Sequence, residues 1–159
     1  MTDEQTHKVA ELIKGERFAF LTTVAPDGTL TSRPMTLQEV EFDGDLWFFA
    51  ERDSNPVRHV VTSPQVNVGA GSGGSWVSLT GSAVVVVDAA KKRELWNGGV
   101  EAWFPQGPDD DSVVLLKVEG HSAEYWDSPG GRLATAFSFV KAKATGERID
   151  AGENEKVDL

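Results

Sequence analysis

The chain has 159 residues, with 15 Lys and Arg against 25 Asp and Glu for a formal charge of −10, 40% hydrophobic residues and no Cys. That length suits one domain with a core that needs no covalent staple, and the missing Cys excludes disulfides, thiolate nucleophiles and Cys-held zinc or iron–sulfur centres. Redox chemistry would have to come from a bound organic cofactor or a metal held by N and O ligands, and the acidic balance argues against nucleic acid and anionic membranes as partners.

The first 14 residues carry Asp3, Glu4 and Glu11, unlike a signal or transit peptide. The longest apolar run, 83–87, is far shorter than the roughly 20 residues of a spanning helix, so a cytoplasmic location is expected. Segment 2–15 sets Val9, Leu12 and Ile13 on one helical face and ends at Gly15, suited to a left-handed stop. Residues 17–24 (RFAFLTTV) read as a strand, followed by the turn Pro26-Asp27-Gly28. The chain returns over 29–42 as a second strand bent near Pro34, and Asp43-Gly44-Asp45 leads to a third over 46–50. Ser54 then N-caps a helix over 54–62 with Pro56 in its first turn.

Strands over 65–70 and 75–87 flank the loop Gly71-Ser72-Gly73-Gly74. Asp88 caps a helix through Trp96 whose exposed face carries Lys91, Lys92 and Arg93, with 97–104 as an extension and 105–111 as the loop that breaks it. Strands over 113–119, 122–126 and 133–143 follow. Beyond Thr145 the acids Glu147, Asp150, Glu153, Glu155 and Asp158 suggest a solvated tail. The predicted architecture is mainly β: an antiparallel barrel with peripheral helices over 1–145, then a polar acidic tail over 146–159.

Gly69-Ala70-Gly71-Ser72-Gly73-Gly74 satisfies the dinucleotide spacing G-x-G-x-x-G, but strand-forming residues follow where that fingerprint needs a helix N-terminus. A hairpin loop is the better reading. His7, His59 and His121 are scattered, and Asp109-Asp110-Asp111 lacks the Gly and Glu of a calcium loop, so no metal site is expected. No G-x-S-x-G elbow is present. What remains is Thr31-Ser32-Arg33-Pro34-Met35, where Pro34 marks an edge or bend and Arg33 offers a fork of donors suited to phosphate. Further along, Trp47-Phe48-Phe49-Ala50 leads through Glu51-Arg52-Asp53 to the helix start at Ser54, where free N–H groups with Arg52 and Arg58 make an anion cradle. The competing reading is that Arg33 pairs with a carboxylate and Ser54 only caps its helix. The Trp residues 47, 76, 96, 103 and 126 suit a core or a subunit interface, while Trp103-Phe104 runs directly into the loop Pro105-Gln106-Gly107.

At these residues the chain resembles the general stress protein 26 family of the pyridoxamine 5′-phosphate oxidase-like flavin split barrels. The matching stretches are TTVAPDGTLTSRPM (22–35), FDGDLWFFAERDS (42–54), ELWNGGVEAWFPQG (94–107), LLKVEGHSAEYWDSP (115–129) and FVKAKATGERIDAGENEKV (139–157). The resemblance implies a six-stranded antiparallel split β-barrel of the flavin-reductase and PNP-oxidase kind, a homodimer, and FMN in the groove between subunits. It implies that Arg33 contacts the FMN phosphate, with Ser32, Pro34 and Met35 beside the isoalloxazine. Phe48, Phe49 and Ala50 would give backbone and packing contacts to the ring, Ser54 would hold the phosphate, and Trp103 and Trp126 would close the ring site, Trp103 from the partner.

Two departures stand out. Pro56 replaces the family's phosphate lysine in Asp53-Ser54-Asn55-Pro56, leaving Arg52 or Arg58 to compensate, and 71–75 is Gly/Ser-rich where relatives carry charge. The expected role is a flavin-dependent oxidoreductase of unassigned substrate, with no side chain nominated as acid or base. Oxidation of pyridoxamine phosphate itself is not expected, because Arg132, Lys141, Lys143 and Arg148 are isolated in an acidic region. The alternatives are a flavin-storing or flavin-sensing protein without turnover, or a barrel holding deazaflavin F420 or haem, for which His59 and His121 are the barrel-region ligands.

Overall fold

Strict alternation builds the first strand: in FAFLTTV the residues Ala19, Leu21 and Thr23 turn inward and Phe18 and Phe20 outward. A computed structural model of the chain describes residues 3–128, 140–146 and 152–159. In chain order the elements are α1 (Asp3–Ile13), β1 (Phe18–Val24), β2 (Leu30–Thr36), β3 (Asp45–Glu51), α2 (Asn55–Thr62), β4 (Gln65–Ser72) and β5 (Ser75–Val86). They continue with α3 (Ala89–Leu95), α4 (Gly98–Trp103), β6 (Val113–Asp127) and β7 (Glu153–Asp158). The strands form one antiparallel sheet in the order β2-β1-β4-β5-β6-β3, with β7 also on β6. β2 and β3 each have one partner, so the curled sheet is not closed: it is an antiparallel split barrel.

β6 organises the molecule. One of its edges runs along β5, while the other pairs β3 over 113–119 and β7 over 122–127. Between the two halves the β5 register shifts, with Thr80 opposite Ser122 but Gly81 opposite Gly120, which leaves His121 as the extra residue of a bulge. Glycine is required on both sides, because a Cβ on Gly81 would strike the Glu119 carbonyl and one on Gly120 would lie 2.7 Å from the Gly44 carbonyl oxygen. The barrel interior is filled by Leu21, Phe48, Val68, Leu79, Leu116, Val118 and Tyr125, closed by Val9 and Ile13 of α1 and Val57 and Val60 of α2. The other face of β3 and β6 packs Phe49, Val113 and Leu115 under Leu95 of α3 and Val100 of α4. Burial on both faces explains the unbroken apolar run Val113-Val114-Leu115-Leu116.

Several boundaries differ from the sequence expectation. The predicted strand over 29–42 stops at Thr36; one further bond in register, from the Leu37 N–H to the Arg17 carbonyl, ends the pairing with β1, and the Leu37 side chain enters the core. The predicted strands over 113–119 and 122–126 are one strand crossing the bulge. Asn97 starts a separate helix by accepting from Gly99 N and Val100 N, so α4 is not an extension of α3. Lys92, expected on an exposed face, is 4% exposed. Of the predicted strand over 133–143, residues 140–143 are helical and 133–139 lie outside the described residues. The expected solvated tail contains β7, with Val157 buried in the main core. Of the predicted loop Gly71-Ser72-Gly73-Gly74, Gly71 and Ser72 end β4 and only Gly73 and Gly74, at φ +63° and +105°, form the hairpin turn into β5.

Candidate functional site

β2 is an edge strand, and its alternation divides the predicted site residues between two faces. Arg33 lies opposite Leu21 on the inner face, while Ser32 and Pro34 lie opposite Thr22 and Phe20 on the outer face. Met35 faces inward and packs against the core. Arg33 has no carboxylate partner among the described residues; its Nη1 donates to the Leu21 carbonyl (3.2 Å) and to Thr23 Oγ1 (2.7 Å). Its Nη2 is buried with no hydrogen-bond partner. Burial pushes the guanidinium down from its ordinary value. A buried guanidinium with an unused donor is a costly arrangement unless an acceptor completes it, and an anion is the natural one.

The second half of the site is the start of α2. Ser54 is the N-cap, but its hydroxyl makes no cap bond; it donates to the Glu51 carbonyl at 2.6 Å. The Arg58 N–H closes the first intrahelical bond on the Ser54 carbonyl (3.1 Å). The N–H groups of Asn55 and Val57 therefore receive nothing from the cap side chain, and Pro56 contributes no donor. The positive end of the helix dipole lies at this terminus. Arg33 reaches this helix through Thr23, whose Oγ1 lies 2.8 Å from His59 Nδ1 on α2. The structure thus joins Arg33 to α2, while Arg58 stays beside the first residue of that helix and Arg52 bonds the loop before β6. Arg52 Nε donates to the Asp111 carbonyl at 2.8 Å, and Arg58 Nη2 reaches Asn55 Oδ1 at 3.4 Å.

The aromatic residues separate. Phe48 is fully buried inside the barrel, and Phe49 packs edge-on against Trp96 (5.4 Å, 88°) and near Phe104 (6.4 Å). Ala50 is buried as well, so this segment offers a ligand the backbone of an edge strand rather than its rings. Trp103 is 70% exposed at the end of α4 and makes no ring contact among the described residues. Trp126 stands on the outer face directly opposite Trp76 of β5. That same face carries Phe18 and Phe20, each more than half exposed, and a cavity of about 300 Å³ lined by Ser78, Thr80, Ser122, Glu124, Lys156 and Asp158. Sequence reading did not find Thr23 as a partner of Arg33, and it took His59 only as a satisfied histidine or haem ligand. Pairing across β1 and α2 is set by register, which no local motif reveals. Asp109 accepts from Arg93 and Asp110 from Ser112, and no group of three His, Asp or Glu side chains placed to hold a metal ion occurs among the described residues.

An open antiparallel barrel with an incompletely satisfied arginine on its edge strand, tied to the helix that follows the opposite edge, defines the chain as a split-barrel protein. It belongs to the pyridoxamine 5′-phosphate oxidase-like family, which its residues 4–150 match. It is similar to General Stress Protein 26 from Bacillus anthracis str. Sterne, 25% identical with TM-score 0.68 over 77% of this chain and 93% of that one. The general stress FMN/FAD binding protein from the phytopathogen Xanthomonas citri is 29% identical, with TM-score 0.68 over 80% of this chain and 92% of that one. Protein bli-3 of Neurospora crassa is 27% identical over 157 residues, covering 91% of this chain and 75% of that protein.

Proposed function

We propose that this chain binds FMN as a homodimer and works as a flavin-dependent oxidoreductase. The observation that carries the reading is the unused, buried Nη2 of Arg33, held by Thr23 beside the helix whose N-terminal N–H groups its own cap residue leaves open. These donors suit a phosphate monoester. The Xanthomonas citri relative, described as binding FMN or FAD, supports a flavin. FMN is favoured because it ends in a phosphate monoester, the group that an arginine and a helix N-terminus suit. Bound there, the flavin would supply hydride and single-electron chemistry. The chain would hold the phosphate with Arg33 and the α2 N-terminus, orient the ring along β2 and the backbone of β3, and exclude water with aromatic residues. The outer face with Phe18, Phe20, Trp76 and Trp126 is the surface that suits a second copy. In that dimer the exposed Trp103 would cover the ring of the partner's site.

A second reading, flavin storage or sensing without turnover, is favoured by Pro56, which stands where the resemblance implies a phosphate lysine and so leaves the cradle one cation fewer. The test begins with the absorption spectrum of purified protein, with mass spectrometry of what denaturation releases. A flavin mononucleotide is expected, and Arg33→Ala should weaken its binding at least tenfold. A colourless protein that takes up no added FMN would overturn the reading. Trp103→Ala is expected to change the fluorescence of bound flavin. Reduction of bound flavin by a nicotinamide, followed by reoxidation by an added acceptor, would favour the enzyme over the sensor.

A further inference from the structure

The Arg33, Thr23 and His59 side chains form one chain of hydrogen bonds through a closed space. Arg33 Nη1 lies 2.7 Å from Thr23 Oγ1, which lies 2.8 Å from His59 Nδ1. Thr23 is fully buried and His59 is 9% exposed. A guanidinium can only donate, so the Thr23 oxygen accepts from Arg33. The single hydroxyl proton of Thr23 then needs an acceptor of its own, and the only one within reach among the described residues is His59 Nδ1. The direction of the relay therefore assigns the tautomer: Nδ1 bare and the proton on Nε2. The alternative, a proton on Nδ1, would leave Thr23 accepting twice and its own hydrogen stranded in a closed site.

We propose that His59 is a positioning residue for the anion site: by fixing the direction of the Thr23 hydroxyl it locks Arg33 Nη1 and thereby holds the guanidinium in one orientation for the phosphate. This rests on the phosphate-binding role of Arg33 proposed above. The lock matters more in this chain than it would beside a lysine. With Pro56 in the first turn of α2, no lysine stands there, and Arg33 is the cation that the Thr23–His59 relay ties to this helix. A long side chain left to rotate loses part of its binding free energy to ordering.

The test uses the full chain and has two readouts. Nitrogen-15 shifts of the His59 ring, recorded on apoprotein at neutral pH, should show the Nε2–H tautomer; the Nδ1–H form would overturn the proposal without reference to flavin. FMN affinity is then measured for His59→Leu, which removes the acceptor, and His59→Asn, whose amide oxygen restores an acceptor where Nδ1 stood. The leucine variant is expected to bind FMN roughly tenfold more weakly and the asparagine variant within about twofold of the parent. Thr23→Val, compared with Thr23→Ser, repeats the contrast one link closer to Arg33. Equal affinity in the leucine and asparagine variants would reduce His59 to packing and overturn the proposal. If Arg33→Ala also binds FMN normally, the failure belongs to the phosphate assignment rather than to the relay.

Discussion

Lys92 shows how a single side chain can be essential and invisible in a charge count. Its ammonium is buried and donates to the carbonyls of Asp110 (2.9 Å) and Val113 (2.8 Å), pinning the 105–112 loop to the start of β6. Lys92→Met keeps the volume but strands two carbonyls, and should cost about 1–3 kcal/mol in urea unfolding; a shift within error would mean water takes over both bonds. A second group of residues sets the alkaline limit. The Tyr125 phenol is pushed up to about 12, first by burial and then by Glu153 and Glu155. Lys8 is raised chiefly by its hydrogen bond to Asp127, and Lys117 by those to Asp45 and Glu119. Each folded-state value lies above the unfolded one, so their stabilisation is complete below about pH 10 and fades as pH rises through the folded values. The urea midpoint should therefore fall between about pH 10 and 12, and Tyr125→Phe should flatten that fall. An equally steep fall in the variant would assign the loss to the lysines alone. Arg33 and Ser54 stand out in the sequence because a strand arginine beside proline and a serine at a helix start carry local signals. Thr23 and His59 carry none, since their meeting depends on how α2 lies over β1.

Among the elements, β7 is where composition misleads. ENEKVD has one apolar residue, and its acids read as solvation. Its place comes from backbone pairing with residues 122–127 of β6 and from its own side chains: Glu153 and Glu155 accept from Tyr125, and Asn154 donates to the Tyr125 carbonyl. Gly152 makes the entry possible. It has φ +90°, and a Cβ there would press on the Asp127 carbonyl and lie 2.9 Å from Ser128 Cα. Gly152→Ala should thus release β7 while leaving β3 on its own half of β6. Hydrogen exchange is the check: amides in 122–127 should lose protection and those in 113–119 keep it. Uniform loss along β6 would show that both halves unfold as one unit. The positions of β1, β3, β4 and β5 and the starts of α2 and α3 were readable, since alternation, Asp-Gly turns and Ser54 and Asp88 at the N-cap positions are local signals. What was not readable was where β6 continues through its bulge, because the extra residue His121 is defined only against β5.

For the whole molecule, the charge of −10 bears on assembly more than on the fold. The outer face follows from register: Pro34, Phe20, Gly69, Ser78, Glu124 and Lys156 lie side by side across six strands, with Trp76 and Trp126 in a neighbouring row. Phe20 is 59% and Trp76 52% exposed, so a second copy seated on this face would bury apolar area from both chains. Two chains of like charge also repel, over a range set by the Debye length of about 10 Å at 0.1 M salt and 3 Å at 1 M. An interface held by aromatic burial should therefore tighten as salt rises, while one held by ion pairs should loosen. Sedimentation velocity at fixed micromolar protein, with salt raised from about 0.05 to 0.5 M, is expected to show a dimer whose fraction holds or grows. Phe20→Asp places a new carboxylate on the outer face, on the opposite side of the sheet from Arg33 though directly across from Pro34, and should give a folded monomer by circular dichroism and sedimentation. If the partner completes the ring site, that monomer also binds FMN more weakly than the parent, although its own phosphate donors are intact. A folded Phe20→Asp monomer with full flavin affinity would instead place the whole site within one chain.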